Sequence, residues 1–280
     1  MRKLMLSLLA LAGGGLWHYA RHIEPDALEI NPITLTLPNL AAEFDGYRIL
    51  QVSDIHRNAW MTPERLNAWM QRASLFAPDM VVFTGDFVSR RVMYAVEDFT
   101  TAFAHFNPPD GMFAVLGNHD YDVHEAAIRL REMLAAANIC ELRNAVHTLR
   151  RGDAVLHLAG VDDVVARQAR LDAVLDVLPA DGCAILLAHE PDFADISAPY
   201  NRFDVQLSGH THGGQIRLPG LGSPVTPKHG RRYVVGWYKV KSMQLYVNCG
   251  IGTVSPRLRF NCPPEITVFT LRSAFSAAGG

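Results

Sequence analysis

Short apolar runs alternate with stretches of helical spacing along most of the chain. YRILQVS (47–53), MVVFTG (80–85), MFAVLGN (112–118), AILLAHE (184–190), DVQLSG (204–209), QLYVNCG (244–250) and EITVFTL (265–271) are mainly apolar. Each predicts a strand of about four to seven residues, most of them buried on both faces. Ile33–Leu37 alternates apolar residues with threonine between Pro32 and Pro38, the pattern of an edge strand. Between the runs lie helices. Thr62 can cap one that has Pro63 at its first position, apolar residues at Leu66, Trp69, Met70, Ala73 and Phe76, and an end before Pro78. Asp122 and Glu125 make a capping-box-like start for a second helix running to about Asn138. Gln168–Leu178 is a third, stopped by Pro179. Arg217–Tyr238, rich in glycine, proline and basic residues, reads as a long surface loop. The alternation predicts an α/β fold with a largely parallel or mixed sheet covered by helices.

Composition changes this picture little. The chain has 280 residues, 49% of them hydrophobic, and a formal charge of -2, so a large core is available. Near-neutral charge gives no nucleic-acid binding surface. Cys140, Cys183, Cys249 and Cys262 form no C-x-x-C pair and read as small buried hydrophobes.

The N-terminus stands apart. Arg2 and Lys3 precede an apolar run from Leu4 to Ala20, with Arg21 after it. A cleaved signal would use Ala10-Leu11-Ala12 as its processing site. An uncleaved anchor, the favoured reading, would set Trp17 and Tyr19 at the interface. The expected division is 1–22 as anchor or signal, 23–45 as linker and edge strand, 46–272 as catalytic domain and 273–280 as tail. The chain is expected to be monomeric and membrane-associated, with the side of the membrane open.

Metal-capable side chains gather where the strands end. Asp54 and His56 follow one run, Asp86 a second, Asn118, His119 and Asp120 a third, His189 a fourth, and His210 and His212 a fifth. Open α/β sheets bind ligands beyond the carboxyl ends of their strands. In extended chain, residues i and i+2 point to one side, which would let Asp54 and His56 reach one metal and His210 and His212 face one centre or two neighbouring ones. Gly85, Gly117 and Gly209 each precede a polar residue, where a tight turn needs no Cβ. Singly, each motif is ordinary; G-D is a common turn, and a lone histidine is more often satisfied in a core. Jointly they point to a metal site.

In order and composition, Asp54-x-His56, Gly85-Asp86, Gly117-Asn118-His119-Asp120, His189 and Gly209-His210-Thr211-His212 resemble the five blocks of the calcineurin-like metallophosphoesterases. GHTHGGQIRLPG, LYVNCGIGT and PPEITVFTL resemble the branch of small, anchored or exported bacterial phosphodiesterases, a likeness spanning roughly Tyr47 to Leu271. The resemblance implies two packed mixed β-sheets flanked by helices, with a binuclear centre at the sheet edge. It implies that Asp54, His56 and His212 hold one divalent metal and Asn118, His189 and His210 the other, that Asp86 bridges them, and that His119 is the catalytic histidine. Oxygen and imidazole ligands suit Mn, Fe or Zn. Hydrolysis by in-line attack of a metal-bridging hydroxide on a phosphate ester follows from the same likeness.

Substrate is less specified. A phosphodiester is the general expectation. Some anchored relatives cleave UDP-2,3-diacylglucosamine, and an anchor would hold the site near such a lipid-linked nucleotide. Trp60, Met61, Trp69, Val92, Met93 and Tyr94 could line an acyl groove, although Trp69 at helical spacing reads as core. Arg57 could contact a phosphate oxygen, and His229, beside Lys228, Arg231 and Arg232, could form a basic rim. A metal-stabilised scaffold without turnover would not need His119. A β-lactamase-like hydrolase would need H-x-H-x-D-H, where this chain has Gly213 and Gly214 after His212.

Overall fold

The computed structural model describes residues 13–89, 95–122 and 124–274. Its strands form two six-stranded sheets. The first holds β1 (Glu29–Leu37), β2 (Arg48–Val52), β3 (Met80–Thr84), β4 (Met112–Val115), β5 (Ile139–Glu141) and β12 (Glu265–Ser273), in the order β1-β12-β2-β3-β4-β5. The second holds β6 (Ala145–Arg151), β7 (Ala154–Gly160), β8 (Cys183–Leu187), β9 (Val205–Ser208), β10 (Gly236–Val240) and β11 (Met243–Val247), in the order β10-β11-β9-β8-β7-β6. Both sheets are mixed. β2, β3, β4 and β5 run parallel, as do β7, β8, β9 and β11, while β12 is antiparallel to β2, and β6 and β10 pair antiparallel at the edges of the second sheet.

Strand period explains the layers. In β2, Ile49 faces the second sheet and Leu50 the outer helices; in β3, Met80 and Val82 face inward, Val81 and Phe83 outward. β8 does the same with Cys183, Ile185 and Leu187 inside, and Ala184 and Leu186 outside. Three apolar clusters result. The middle one joins the sheets through residues such as Ile49, Val82, Phe113, Ile185, Leu207 and Phe269. One outer cluster lies under helices α1 (Pro63–Ser74), α2 (Val96–Phe103) and α3 (His124–Ala136). The other lies under α4 (Leu171–Val177) and the turns after β8. Thr62 caps α1 as expected, its side chain accepting from Arg65 N.

The seven apolar runs are all strands, and the three expected helices are present. β5, β6, β7, β10 and α2 were not foreseen. β6 is half-exposed and carries Arg150 and Arg151, so it lacks a clean apolar alternation; its register comes from pairing with β7 across the Gly152 turn. β10 takes up the end of the expected 217–238 loop because it can pair with β11. The edge strand β1 starts at Glu29, before the expected Ile33, and encloses Pro32, tolerated where one side of the strand has no partner. Among the cysteines, Cys183, Cys249 and Cys262 are buried as expected, but Cys140 is exposed on β5.

Residues 1–12, which carry most of the expected anchor, lie outside the described residues, as do 275–280 of the tail and position 123, across which the Asp122/Glu125 start falls. Among the described residues no helix is long and apolar enough to cross a membrane. The stretch from Ala20 to Glu24 docks against the body: Arg259 N donates to Ala20 O (2.8 Å), and the buried Glu24 carboxylate accepts from Asn261 N and Cys262 N.

Candidate metal centre

The carboxyl ends of β2, β3 and β4 in one sheet and of β8 and β9 in the other meet at one edge. Each strand continues into a loop carrying the candidate ligands. Asp54, His56, Asp86, His210 and His212 all have φ between 48° and 70°, the left-handed region that non-glycine residues rarely adopt. The i, i+2 convergence expected from extended chain is therefore achieved differently: each loop turns sharply at the ligand itself. Ile55 still points into the core. Gly85 has φ +94°, and a Cβ there would lie 2.6 Å from His189 Nδ1, so the β3 turn requires glycine.

The side chains assemble around two foci. Asp54, His56, Asp86 and His212 form one group, and Asp86, His189 and His210 the other. Asp86 Oδ2 lies 3.3 Å from both His56 Nε2 and His189 Nε2, so one carboxylate oxygen faces both groups. His212 Nε2 is 3.3 Å from Asp54 Oδ1. Asp54 is fixed by Ser53 Oγ at 2.6 Å and by the backbone N–H of His210, which ties the β2 loop to the β9 loop.

Imidazole tautomers decide what the foci can hold. His189 Nδ1 donates to Thr84 O (2.7 Å), and His210 Nε2 donates to Lys228 O (2.8 Å). A carbonyl only accepts, so those nitrogens keep their protons. The remaining nitrogens, His189 Nε2 and His210 Nδ1, then point lone pairs at each other across 3.2 Å. His56 Nε2 and His212 Nε2 also lie close, 3.0 Å apart. Two neutral lone pairs so placed repel, and either a shared proton or a metal ion between the nitrogens relieves it. Burial opposes charge on His189, but Asp86, with Asp54 and Glu190, holds it well above the usual histidine range; burial and the charge of His189 push His210 down. Burial also opposes charge on His56, which Asp86, Asp54 and Asp120 raise, while burial and the charge of His56 push His212 well below. Each pair thus favours a single positive charge. Asn118 Oδ1 is buried without a hydrogen-bond partner. The residues fit a pair of divalent ions.

His119 sits beside this centre. Its ring lies 4.9 Å from that of His56, and its Nδ1 bonds Asp122 Oδ2 at 2.8 Å. Asp120, next to His119 in sequence, accepts from Asp86 N, Gly117 N and Val88 N, pinning the β3 and β4 loops together. Burial and the charge of Asp86 push its carboxyl up to about 7, against the N–H bonds it accepts. The centre opens into a cavity of about 360 Å³ whose lining includes polar Asp86, Asn118 and His119 and apolar Ile216, Val225 and Val254.

The model of the calcineurin-like phosphoesterase family matches residues 47–214. The chain belongs to that family. This phosphoesterase is 36% identical to the metallophosphoesterase YkuE of Bacillus subtilis over 94% of its own length and 92% of the relative's. It is 29% identical to the UDP-2,3-diacylglucosamine pyrophosphatase LpxG of Chlamydia muridarum, over 90% of this chain and 92% of that one. It is 27% identical to the phosphodiesterase YaeI of Escherichia coli, over 96% and 98%. The protein is therefore a metal-dependent phosphoric ester hydrolase with two mixed sheets, and its Asp/His groups are arranged to hold divalent ions.

Not every candidate reaches the phosphoesterase centre. Arg57 Nε pairs with Asp98 (3.1 Å), and its Nη1 bonds the carbonyls of Asn58 and Met61, so it braces the turn before α1 and does not line the cavity. His229 lies beside Lys228, whose carbonyl orients His210; its own contribution is a carbonyl accepting from Asp192 N, and its ring does not line the cavity. The supposed basic rim is tied down: Asp192 accepts the N–H groups of Arg231, Arg232 and Tyr233, and Arg232 pairs with Asp195. Met61 and Trp69 are core, and Trp60 is half-buried against Trp69. Val92, Met93 and Tyr94 lie outside the described residues. Asp122 was missed, although a carboxylate three residues after His119 on a helical turn was a readable signal.

Proposed function

We propose that this phosphoesterase hydrolyses phosphodiesters, with Asp54, His56 and His212 around one ion, Asn118, His189 and His210 around the other, and Asp86 between them. When bound, two divalent ions supply positive charge for the phosphoryl oxygens and lower the pKa of the attacking water. The chain's own groups do the rest. Asp122 orients His119 through Nδ1 and leaves Nε2 for the substrate, where it can pass a proton to the departing oxygen. Asn118, with its buried Oδ1 otherwise unpartnered, helps position the phosphate end of the cavity. The apolar part of the lining, Ile216, Val225 and Val254, receives the ester substituent and limits water there. The observation that carries the reading is the placement of Asp86 Oδ2 3.3 Å from both His56 Nε2 and His189 Nε2, so that one carboxylate oxygen serves both groups of metal-capable side chains.

Purified full-length protein, stripped and reloaded with Mn, should turn over bis(4-nitrophenyl) phosphate faster than 4-nitrophenyl phosphate. Monoester turnover alone would overturn the diesterase assignment.

A second reading has its own support. The cavity lining includes apolar Ile216, Pro224, Val225 and Val254, and LpxG of Chlamydia muridarum is a UDP-2,3-diacylglucosamine pyrophosphatase. On that reading the chain is a monomer held at a membrane by its N-terminal run and cleaves a lipid-linked nucleotide. Turnover of UDP-2,3-diacylglucosamine, and not of the simple diester, would promote it. Protease accessibility of the catalytic domain in intact cells would establish its side of the membrane.

A further inference from the structure

A second cavity, of about 660 Å³, lies next to the metal-centre cavity, and Val254, Ser255 and Pro256 form a wall of both. Its other borders include Arg21, Asn58, Trp60 and Arg257. Asn58 is two residues beyond His56, so at most about 7 Å of chain separates them. The two cavities are thus neighbours around one loop.

Positive charge in this corner exceeds negative. Arg65 stands 4.4 Å over the Trp60 ring and is ion-paired with Asp26. Arg21 donates from Nη1 to the Arg257 carbonyl, a neutral acceptor, at 3.0 Å. Arg257 is 6.0 Å from the Trp60 ring, at the limit of a cation–π contact, and its Nε is buried without a hydrogen-bond partner. Among the described residues no carboxylate pairs with Arg257 or Arg21; the nearby Asp26 is taken by Arg65. Burial and the charges of Arg21 and Arg65 hold the Arg257 guanidinium below its usual range, with Asp26 offsetting part. A partly buried guanidinium without a counter-charge is costly unless an anion offsets it. Buried Arg259 differs in its terminal nitrogens, which donate to the carbonyls of Cys249, Gly250, Gly252, Cys262 and Pro263, although its Nε is also without a partner.

We propose that Arg257 and Arg21 form an anion subsite that binds a second phosphate group, beside the one placed at the metal centre. The guanidinium fork matches phosphate oxygens bidentately. This deepens the phosphodiesterase reading and rests on it for the first phosphate. Two sources share the chemistry. One is a phosphate elsewhere in the same substrate. The other is a lipid headgroup, since Arg21 follows the apolar run 4–20 and lies among exposed Leu16, Trp17, Tyr19 and Ile23.

Calorimetry of the full-length, Mn-loaded protein with alkane-1,n-bisphosphonates, n from three to ten, tests the first source without needing turnover. One length should bind at least tenfold tighter than the matched monophosphonate. Arg257→Gln should erase the gain, and Arg257→Lys should keep part of it, at unchanged metal content and melting temperature. Sedimentation with phosphatidylcholine vesicles, with and without phosphatidylglycerol, tests the second. A several-fold loss in Arg257→Gln confined to the anionic vesicles assigns the phosphate to a headgroup. If no bisphosphonate gains and anionic vesicle binding is unchanged in Arg257→Gln, the proposal is wrong. Absence of diester turnover by the wild type would overturn the functional reading alone, because neither binding measurement depends on it.

Discussion

The middles and the carboxyl ends of the same strands obey opposite rules. Between the sheets, Ile49, Val82, Ile185 and Leu207 sit in extended backbone, at most 1% exposed, with no polar atom in their side chains. A few residues further on, Asp54, Asp86, His189 and His210 are also buried, yet most have left-handed backbone and all carry groups that lose solvation. Gln51 stands at the border, donating to Thr84 Oγ1 in its own sheet and to Ser208 O in the other. The first region stabilises the fold and the second spends part of that stability on a charged, strained rim. A substitution in the rim should therefore remove function more than stability, and one in the middle the reverse.

The sharpest separation is expected at Asp86. Asp86→Asn takes charge from the only oxygen facing both histidine groups among the described residues. Metal content, by plasma mass spectrometry, and diester turnover should fall together to background. Retained metal with lost activity would mean that Asp86 acts in the chemistry and not in holding the ions.

His119→Ala should do what Asp86→Asn does not. Turnover should drop about 10²–10⁴-fold while metal content stays near normal. Asp122→Asn should follow with a smaller loss of about 10-fold to 10²-fold, because the ring and its Nε2 remain. The split between kcat and KM distinguishes positioning from mere support: Asp122→Asn should lower kcat and leave KM near wild type, and an unchanged kcat would count against the pairing seen at 2.8 Å.

How far this division was readable from sequence depends on which physics set each part. Strand middles such as MVVFTG and AILLAHE were legible because burial on both faces leaves a continuous apolar run. β5 and β10 were not, because a short strand or an edge strand is specified mainly by its neighbour. The ligand identities were legible because each stands just after a run. Their geometry was not: the spacing of Asp54 and His56 suggested extended chain, whereas positive φ at both depends on contacts from distant loops, such as Asp54 N to Gly85 O and His56 N to Asp86 O. Arg57 shows the same limit. Its position beside the motif suggested substrate, but Asp98, from the unforeseen α2, claims it.

In the middle region, Ile185→Ala should cost about 2–5 kcal/mol of stability through a cavity between the sheets. Turnover per folded molecule should be nearly unchanged, since Ile185 contacts the core and not the centre. Denaturant melts beside turnover normalised to folded protein check both halves. An activity loss as large as that of His119→Ala would show that the rim borrows its geometry from core packing far more than the layered picture allows.

The smallest effect tests where the boundary lies. Asp163 is fully buried, and burial with the neighbouring Glu190 carboxylate raises its pKa to about 9. Two carboxyl groups can hydrogen-bond only if one keeps a proton, and here Asp163 keeps it while Glu190 accepts from Val164 N and Val165 N. The unfolded carboxyl titrates near 3.8, so folding takes up a proton between that pH and about 9. Its stabilising share is complete below the lower value and lost as pH rises through the upper one. Asp163→Asn keeps the shape, with an amide that can donate to Glu190 at every pH. The variant should therefore melt close to wild type at pH 5 and progressively above it towards pH 9, with metal content and turnover at pH 7 little changed. A variant less stable at pH 8.5 would mean that Asp163 is ionised in the native state, and that the charged rim extends past His189 into the loop behind it.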